Sequence, residues 1–164
     1  MVVIDVIIET PKGSAEKYSF DPQTNFFKLV KLLPMGMFFP YDFGFIPNTT
    51  GEDGDPLDIL VISEFKSFPG CMISCKIIGA IKAAQTGKKG KIRNDRFIGI
   101  PVQSRLFESI KDVEDLPGKL MREIQDFFYD YNKREGKVFE VLAILKSSSA
   151  IKIIAANKKF NSGT

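Results

Sequence analysis

Three aspartates within six residues are the feature of this sequence best suited to chemistry. They lie in the run Asp53-Gly54-Asp55-Pro56-Leu57-Asp58. In an extended chain, side chains two residues apart point to the same side, so Asp53 and Asp55 can reach one ion. Gly54 permits a close backbone approach, and Pro56 stiffens the turn. Carboxylates this close repel one another unless cations or protons compensate, so the run predicts a cation site.

The chain contains no histidine in its 164 residues. This absence excludes Ser-His-Asp and Cys-His nucleophile systems and the histidine-based zinc hydrolases. Acid–base or metal chemistry must therefore use carboxylates, lysines, arginines or tyrosines. Because carboxylate oxygens prefer hard cations, Mg²⁺ is the expected metal.

A calcium-binding loop and a plain acidic turn are the alternatives to a magnesium site in this run. The calcium-binding loop requires an oxygen ligand at position 57 and a glycine at position 58, where this chain has Leu57 and Asp58. The calcium loop is therefore excluded. A plain acidic turn before a buried strand is common and stays open on the run alone.

The composition is that of an ordinary soluble domain, with 44% hydrophobic and 26% charged residues. The length predicts a single domain over residues 1–164. A net charge of +3 calls for neither a nucleic-acid nor a membrane partner. Cys71 and Cys75 are too few for a disulfide scaffold or a four-cysteine zinc site. Since residues 1–9 lack a leader pattern and no apolar run could span a bilayer, we expect a cytoplasmic protein.

Short strands must position the acids. Apolar and β-branched patterns predict strands over residues 2–9, 16–20, 26–33, 57–62, 72–83, 96–102 and 137–145. The segment Gly87-Lys88-Lys89-Gly90-Lys91 predicts an exposed basic hairpin tip and lacks the full phosphate-loop pattern. Many short strands with few helices favour a barrel or a sandwich decorated by a helix.

One long helix is predicted from apolar residues at three- and four-residue spacing. These are Leu120, Met121, Ile124, Phe127, Phe128 and Tyr131. Asp115 and Pro117 suit its beginning, and Gly136 suits its end. A short helix after Ser149 and a loose tail over residues 161–164 complete the prediction.

An aromatic and proline-containing stretch precedes the acidic run. It reads Phe39-Pro40-Tyr41-Asp42-Phe43-Gly44-Phe45-Ile46, and six residues separate it from Asp53. The pattern continues through residues 58–61, through Pro69-Gly70, and through Ile110-Lys111-Asp112-Val113-Glu114-Asp115-Leu116-Pro117 before the helix. Together these segments resemble the family I inorganic pyrophosphatases over nearly the whole chain.

The resemblance implies a mainly β (α+β) fold. Members of that family are five-stranded, oligonucleotide-fold-like closed barrels, here with one long helix and a short C-terminal helix. They hydrolyse diphosphate to two phosphates with several Mg²⁺ ions, two of which share the attacking water and lower its pKa. Bacterial members are commonly hexamers and eukaryotic members dimers, so the resemblance implies a homo-oligomer, with a hexamer favoured and a dimer possible.

The same resemblance implies roles for the acids. Asp55 would be the general base beside the nucleophilic water, and Asp58 would bridge the two ions that bind this water. Asp53 would complete the metal set, with Glu9 linked to metal or water. Asp95 would be a further ligand, depending on how the basic hairpin is threaded.

Four residues would bind the phosphates on this resemblance: Lys17, Lys31, Tyr131 and Arg96. On the residues alone, Lys17 is an ordinary surface lysine and Tyr131 ends the apolar stripe of the helix. The basic residues of segment 88–96 could add phosphate contacts or favour a larger anionic substrate.

Several positions depart from the family pattern. They are Ser19 for a glutamate, Lys31 for an arginine, Phe43 for a tyrosine, Gln85 for an aspartate, Arg96 for a lysine and Asn132 for a lysine, with Asn94 at the end of the second acidic segment. These changes predict a weaker outer metal site and altered phosphate binding. The alternative is therefore a degenerate relative that binds phosphate or a nucleotide, or regulates a partner, with weak or no activity. Nucleic-acid binding is disfavoured because the aromatic residues stand beside acids.

Overall fold

The computed structural model describes residues 1–159, so the tail predicted over residues 161–164 lies outside the described residues. The described part contains nine strands, two α-helices and one 3-10 helix. The strands are β1 (Val3–Thr10), β2 (Glu16–Asp21), β3 (Phe26–Leu32), β4 (Asp42–Ile46), β5 (Leu57–Val61), β6 (Met72–Gly87), β7 (Gly90–Arg93), β8 (Arg96–Pro101) and β9 (Val138–Lys146). The helices are α1 (Gly118–Arg134) and α2 (Ser147–Ala156), and the 3-10 helix is Val113–Asp115.

Five strands form a closed ring in the order β1, β4, β5, β8 and β6, because β6 pairs again with β1. Neighbours in the ring are antiparallel except for β5 and β8, which are parallel. Strands β2 and β3 form a separate hairpin, while β7 and β9 both pair with β6. The ring confirms the predicted five-stranded barrel and removes the sandwich alternative.

Strand β4 is absent from the sequence prediction. Its two phenylalanines alternate with Asp42 and Gly44, and aspartate and glycine are depleted in strands. Gly44 nevertheless lies between β1 and β5, and a Cβ atom there would overlap the backbone carbonyl of Ile7. The ring therefore closes at a position where only glycine lets two backbones approach.

Both faces of the ring are apolar, as strand β5 illustrates. Ile59 and Val61 pack in a core cluster that also contains residues of α2, and Leu60 packs in a second cluster that contains residues of α1. This arrangement confirms the prediction of a strand buried on both faces. Each helix thus covers one apolar face of the ring, and removal of this apolar area from water stabilises the fold.

Helix α1 has the predicted amphipathic pattern, with Met121, Ile124, Phe128 and Tyr131 buried. It begins directly after Pro117 and ends shortly before the predicted stop. Helix α2 begins at Ser147, earlier than predicted. Within residues 1–159, no helix is both long and apolar enough to cross a membrane.

Candidate active site

The acidic run forms a tight loop between β4 and β5. The backbone N–H of Asp55 donates to Asp53 Oδ1 at 3.0 Å, and the N–H of Gly51 donates to the carbonyl of Asp55 at 2.7 Å. Gly54 has a φ of 88°, a left-handed conformation that favours glycine. Asp58 follows as the second residue of β5. The loop therefore presents two exposed carboxylates beside a third that is anchored in the ring.

A cavity of about 620 Å³, called the main cavity below, collects most of the predicted site residues. Its carboxylates come from three places in the chain: Glu9 on β1, Asp53 and Asp55 in the loop, and Asp58 on β5. Its basic and phenolic lining includes Lys17 on β2, Arg96 on β8 and Tyr131 on α1. The ring, the β2–β3 hairpin and α1 thus meet at one concave surface.

Asp58 is paired with a buried arginine. Arg96 Nη1 donates to Asp58 Oδ2 at 2.8 Å, and the two residues are direct neighbours in the parallel β5–β8 pairing. The guanidinium carbon lies 5.2–5.9 Å from the ring centroids of Phe43, Phe128 and Phe139. Because this cation is enclosed and already engaged, Arg96 contacts a carboxylate and not open solvent.

The carboxylates of the main cavity disfavour ionisation of one another. Burial raises the pKa of Asp58 from 3.8 to about 6, with Arg96 opposing the rise and Glu9 and Asp53 adding to it. The pKa of Asp55 is raised by burial and by Asp53, with Lys17 opposing. Such mutual repulsion is relieved when a proton or a cation enters the cluster.

Glu9 is held by the neighbouring hairpin. Ser19 Oγ donates to Glu9 Oε2 at 2.9 Å, and the backbone N–H of Phe20 donates to the same oxygen at 2.7 Å. Burial nevertheless raises the pKa of Glu9 above its ordinary value, because it outweighs these two hydrogen bonds. Ser19, which stands where the family has a glutamate, therefore orients Glu9.

Two lysines of the β2–β3 hairpin lie close to the Tyr131 ring. The Nζ atoms of Lys17 and Lys31 lie 5.5 Å and 4.8 Å from its ring centroid. Lys31 does not line the main cavity; its ammonium is paired with Glu135. Within residues 1–159, the buried Tyr131 Oη has no hydrogen-bond partner, and neither has Arg96 Nε. An unpaired buried hydroxyl at a cavity wall is suited to accept or donate a bond to a ligand.

Asp95 lies apart from the main cavity. Both of its carboxylate oxygens accept hydrogen bonds from Arg93 at 2.8–3.1 Å, and Oδ1 also accepts from the backbone N–H of Ala83. It lines a smaller cavity of about 240 Å³, which shares Asp53 and Asp58 with the main cavity. The path of the β6–β7 hairpin thus places the Asp95 carboxylate against Arg93.

Several residues of the main cavity escaped the sequence prediction. Asn94 Nδ2 donates to Gln85 Oε1 at 2.9 Å, and Gln85 Nε2 donates to Asn132 Oδ1, so three amides form a chain. Glu135 and Lys137, just beyond α1, also line the cavity. In the sequence, Gln85, Asn94 and Asn132 are recognisable only as departures from the family pattern.

The donor set at the main cavity suits a hard cation. Every candidate ligand is a carboxylate oxygen, the type that Mg²⁺, Ca²⁺ and Mn²⁺ accept. Within residues 1–159, no three acidic or cysteine side chains are close enough together to form a ready-made metal cluster. The four acids fit a cation by the chemistry of their oxygens and by lining one cavity, and their spacing is not that of a preformed site.

The sequence profile of the inorganic pyrophosphatases matches residues 6–161 of the chain. The chain belongs to the inorganic pyrophosphatase family. A pyrophosphatase of Geobacillus stearothermophilus is 38% identical over 152 residues, which cover 93% of this chain and 90% of that protein. A pyrophosphatase of Synechocystis is 40% identical over 140 residues, covering 85% and 80%.

Solved pyrophosphatase structures share the fold. The structure of the Thermus thermophilus inorganic pyrophosphatase superimposes with a TM-score of 0.86 at 34% identity, covering 94% of this chain and 88% of that chain. The Helicobacter pylori pyrophosphatase superimposes with a TM-score of 0.86 at 27% identity. These neighbours support the family assignment.

The raised pKa of Asp58 predicts how the stability of the cation-free protein depends on pH. The folded state binds this proton more tightly than the unfolded state, so protonation favours folding below a pH of about 6. As pH rises from about 4 to about 7, the free energy of unfolding should fall by up to about 3 kcal/mol more in the native chain than in Asp58→Asn. Urea denaturation of both proteins in chelator tests this, and parallel pH profiles would contradict it.

Proposed function

We propose that the chain hydrolyses inorganic diphosphate to two phosphates in the main cavity. The observation that carries this proposal is the convergence of four carboxylates with Lys17 and Tyr131 on one cavity in a member of the pyrophosphatase family. Carboxylates and basic side chains at one surface suit a reaction in which metal cations bridge the carboxylates and a phosphate.

Asp55 is the proposed general base. A water oxygen attacks one phosphorus atom, the bond from that phosphorus to the bridging oxygen breaks, and Asp55 accepts the proton of the water. Partial withdrawal of its carboxylate from water, and the charge of Asp53, raise the pKa of Asp55, which makes it a better proton acceptor than an isolated aspartate. Its place on an exposed loop leaves it accessible to water and substrate.

Mg²⁺ is the proposed metal, with several ions held by Glu9, Asp53, Asp55 and Asp58. Bound Mg²⁺ would neutralise the diphosphate and lower the pKa of the attacking water. Asp58 is the proposed bridging ligand. Arg96 engages one Asp58 oxygen, so the other oxygen is left for a cation. Asp95 is not included, since Arg93 binds both of its oxygens.

Lys17 and Tyr131 are the proposed phosphate ligands. Both line the main cavity, and the Tyr131 hydroxyl has no partner within residues 1–159. Lys31 is the cross-strand neighbour of Lys17 and stays paired with Glu135, so it acts on phosphate through the Tyr131 ring, whose centroid lies 4.8 Å from its ammonium. Arg96 acts on phosphate through Asp58, because its Nη1 donates to that carboxylate.

Replacing the base should abolish turnover. Asp55→Asn keeps the shape of the side chain but removes its proton-accepting charge, so phosphate release from diphosphate should fall at least about 100-fold. The assay is run over a Mg²⁺ series, with the exposed helix residue changed in Asp130→Asn as control. Native-like turnover in Asp55→Asn would refute the role of Asp55, and no turnover of the native chain at any Mg²⁺ concentration would favour the degenerate relative.

Removal of the Tyr131 hydroxyl should lower activity without lowering the free energy of unfolding. Because Tyr131 Oη has no partner within residues 1–159, Tyr131→Phe should leave the free energy of unfolding unchanged or slightly higher. If substrate phosphate is the missing partner, kcat/KM should fall about ten- to hundredfold, the cost of one hydrogen bond to a charged group. Loss of stability without loss of activity would show that the hydroxyl serves the fold.

We also propose a homo-oligomer, with a hexamer favoured over a dimer. The β2–β3 hairpin exposes apolar side chains on β3, with Phe26 and Leu32 each 71% exposed, and further apolar residues are exposed on β9. Such surfaces on a folded chain are typical of subunit interfaces. Sedimentation velocity should give the mass of six or two chains, and Leu32→Glu should lower it while the far-ultraviolet circular dichroism stays unchanged. A native chain that sediments as a monomer at micromolar concentration argues against this proposal.

A cytoplasmic location is the remaining proposal. Both cysteines are free, with Cys75 buried and Cys71 partly exposed, which suits a compartment that keeps thiols reduced. A relative from Arabidopsis thaliana, 34% identical, is named a soluble inorganic pyrophosphatase. Fractionation of the cells that produce the chain tests this location. Recovery of the chain outside the cytosolic fraction would refute it.

A further inference from the structure

A second cavity of about 460 Å³, called the hairpin cavity below, opens beside the main cavity. Its walls include the tip of the β6–β7 hairpin, with Lys88 and Lys89, and residues that join α1 to β9. The two cavities share the lining residues Asp53, Gln85, Asn94, Glu135 and Lys137. A ligand can therefore extend from one cavity into the other along a continuous surface.

The hairpin cavity has cations that the protein does not use elsewhere. Within residues 1–159, neither Lys88 nor Lys89 forms an ion pair, whereas Lys91 on the same hairpin is 2.9 Å from Glu140. The acid on the opposite wall, Glu135, is paired with Lys31 and lies 4.0 Å from Lys137. The charge of Glu135 is thus compensated, so Asp53 is the one lining carboxylate outside an ion pair within residues 1–159, against the two unpaired lysines at the rim.

The junction between the cavities carries fixed neutral amides. Asn94 donates to Gln85, and Gln85 donates to Asn132, so these side chains are oriented by one another. Asn132 is fully buried, and its own amide donates to the carbonyl of Phe128 at 2.7 Å. These three amides add no negative charge to the junction, where Asp53 and Glu135 are the lining carboxylates.

We propose that the hairpin cavity binds the distal part of a linear phosphate chain with three or more phosphoryl groups. The terminal diphosphate unit of that chain would occupy the main cavity, so this inference rests on the proposed function. Lys88 and Lys89 contact the phosphoryl groups beyond the second one. They therefore contribute to the binding of longer chains and not to the binding of diphosphate.

The test is isothermal titration calorimetry with tripolyphosphate and with diphosphate, each in Mg²⁺. All proteins carry Asp55→Asn, so that turnover does not obscure binding. One adds Lys88→Ala and Lys89→Ala, and the control adds Lys119→Ala and Lys152→Ala, which remove two exposed lysines far along the chain. The hairpin variant should bind tripolyphosphate about five- to tenfold more weakly, with diphosphate affinity changed less than about twofold and the control unchanged for both.

Three results would overturn the inference. The first is an unchanged affinity for tripolyphosphate in the hairpin variant, and the second is an equal loss for both ligands. The third comes from a parallel titration with ATP: a loss for ATP without a loss for tripolyphosphate would mean that the cavity recognises a nucleoside. Equal losses for ATP and tripolyphosphate support recognition of the phosphate chain itself.

A failure of the proposed function can be distinguished from a failure of this inference. Phosphate release from diphosphate by the native chain measures that function alone. A native chain without turnover would refute the hydrolase, while the contrast between tripolyphosphate and diphosphate binding would still decide the role of the hairpin cavity.

Discussion

The ion pair between Asp58 and Arg96 is the interaction on which the architecture of the site depends. A carboxylate among other carboxylates in a ring of strands is costly to keep ionised, as its raised pKa indicates. Arg96 supplies a permanent positive charge 2.8 Å away, and the parallel pairing of β5 with β8 puts the two residues side by side. Breaking a buried pair of this kind generally costs about 3–5 kcal/mol, because one charge is left uncompensated.

The Arg96 guanidinium is itself enclosed by residues that are distant from one another in sequence. Its three phenyl neighbours come from β4, α1 and β9, so closure of the ring and docking of the helix must both be complete before the guanidinium is enclosed. The same helix carries Tyr131 to the cavity. The site is therefore complete only when the ring and the helix are both in place, and no local segment carries it by itself.

Features encoded over short distances could be predicted from the sequence. The acidic loop and α1 follow from spacing within a few residues, and both lie where the sequence predicts them. Strand β4 was missed because its glycine is selected by contact with β1, far away in the chain. The pairing of Asp58 with Arg96 and of Asp95 with Arg93 depends on how β6, β7 and β8 align, which no local pattern specifies. Tertiary contact decides such partners.

Strand β6 is 16 residues long and serves two structures in succession. As far as Ile81 it pairs with β1 or β8 inside the ring, but from Lys82 onward it pairs with β7 and β9 alone. The basic hairpin at its far end can therefore lengthen, shorten or change charge without disturbing the backbone pairing that closes the ring. Mutation can thus vary the length and charge of the hairpin while the acids of the main cavity stay fixed, so the two ends of one strand can evolve independently of each other.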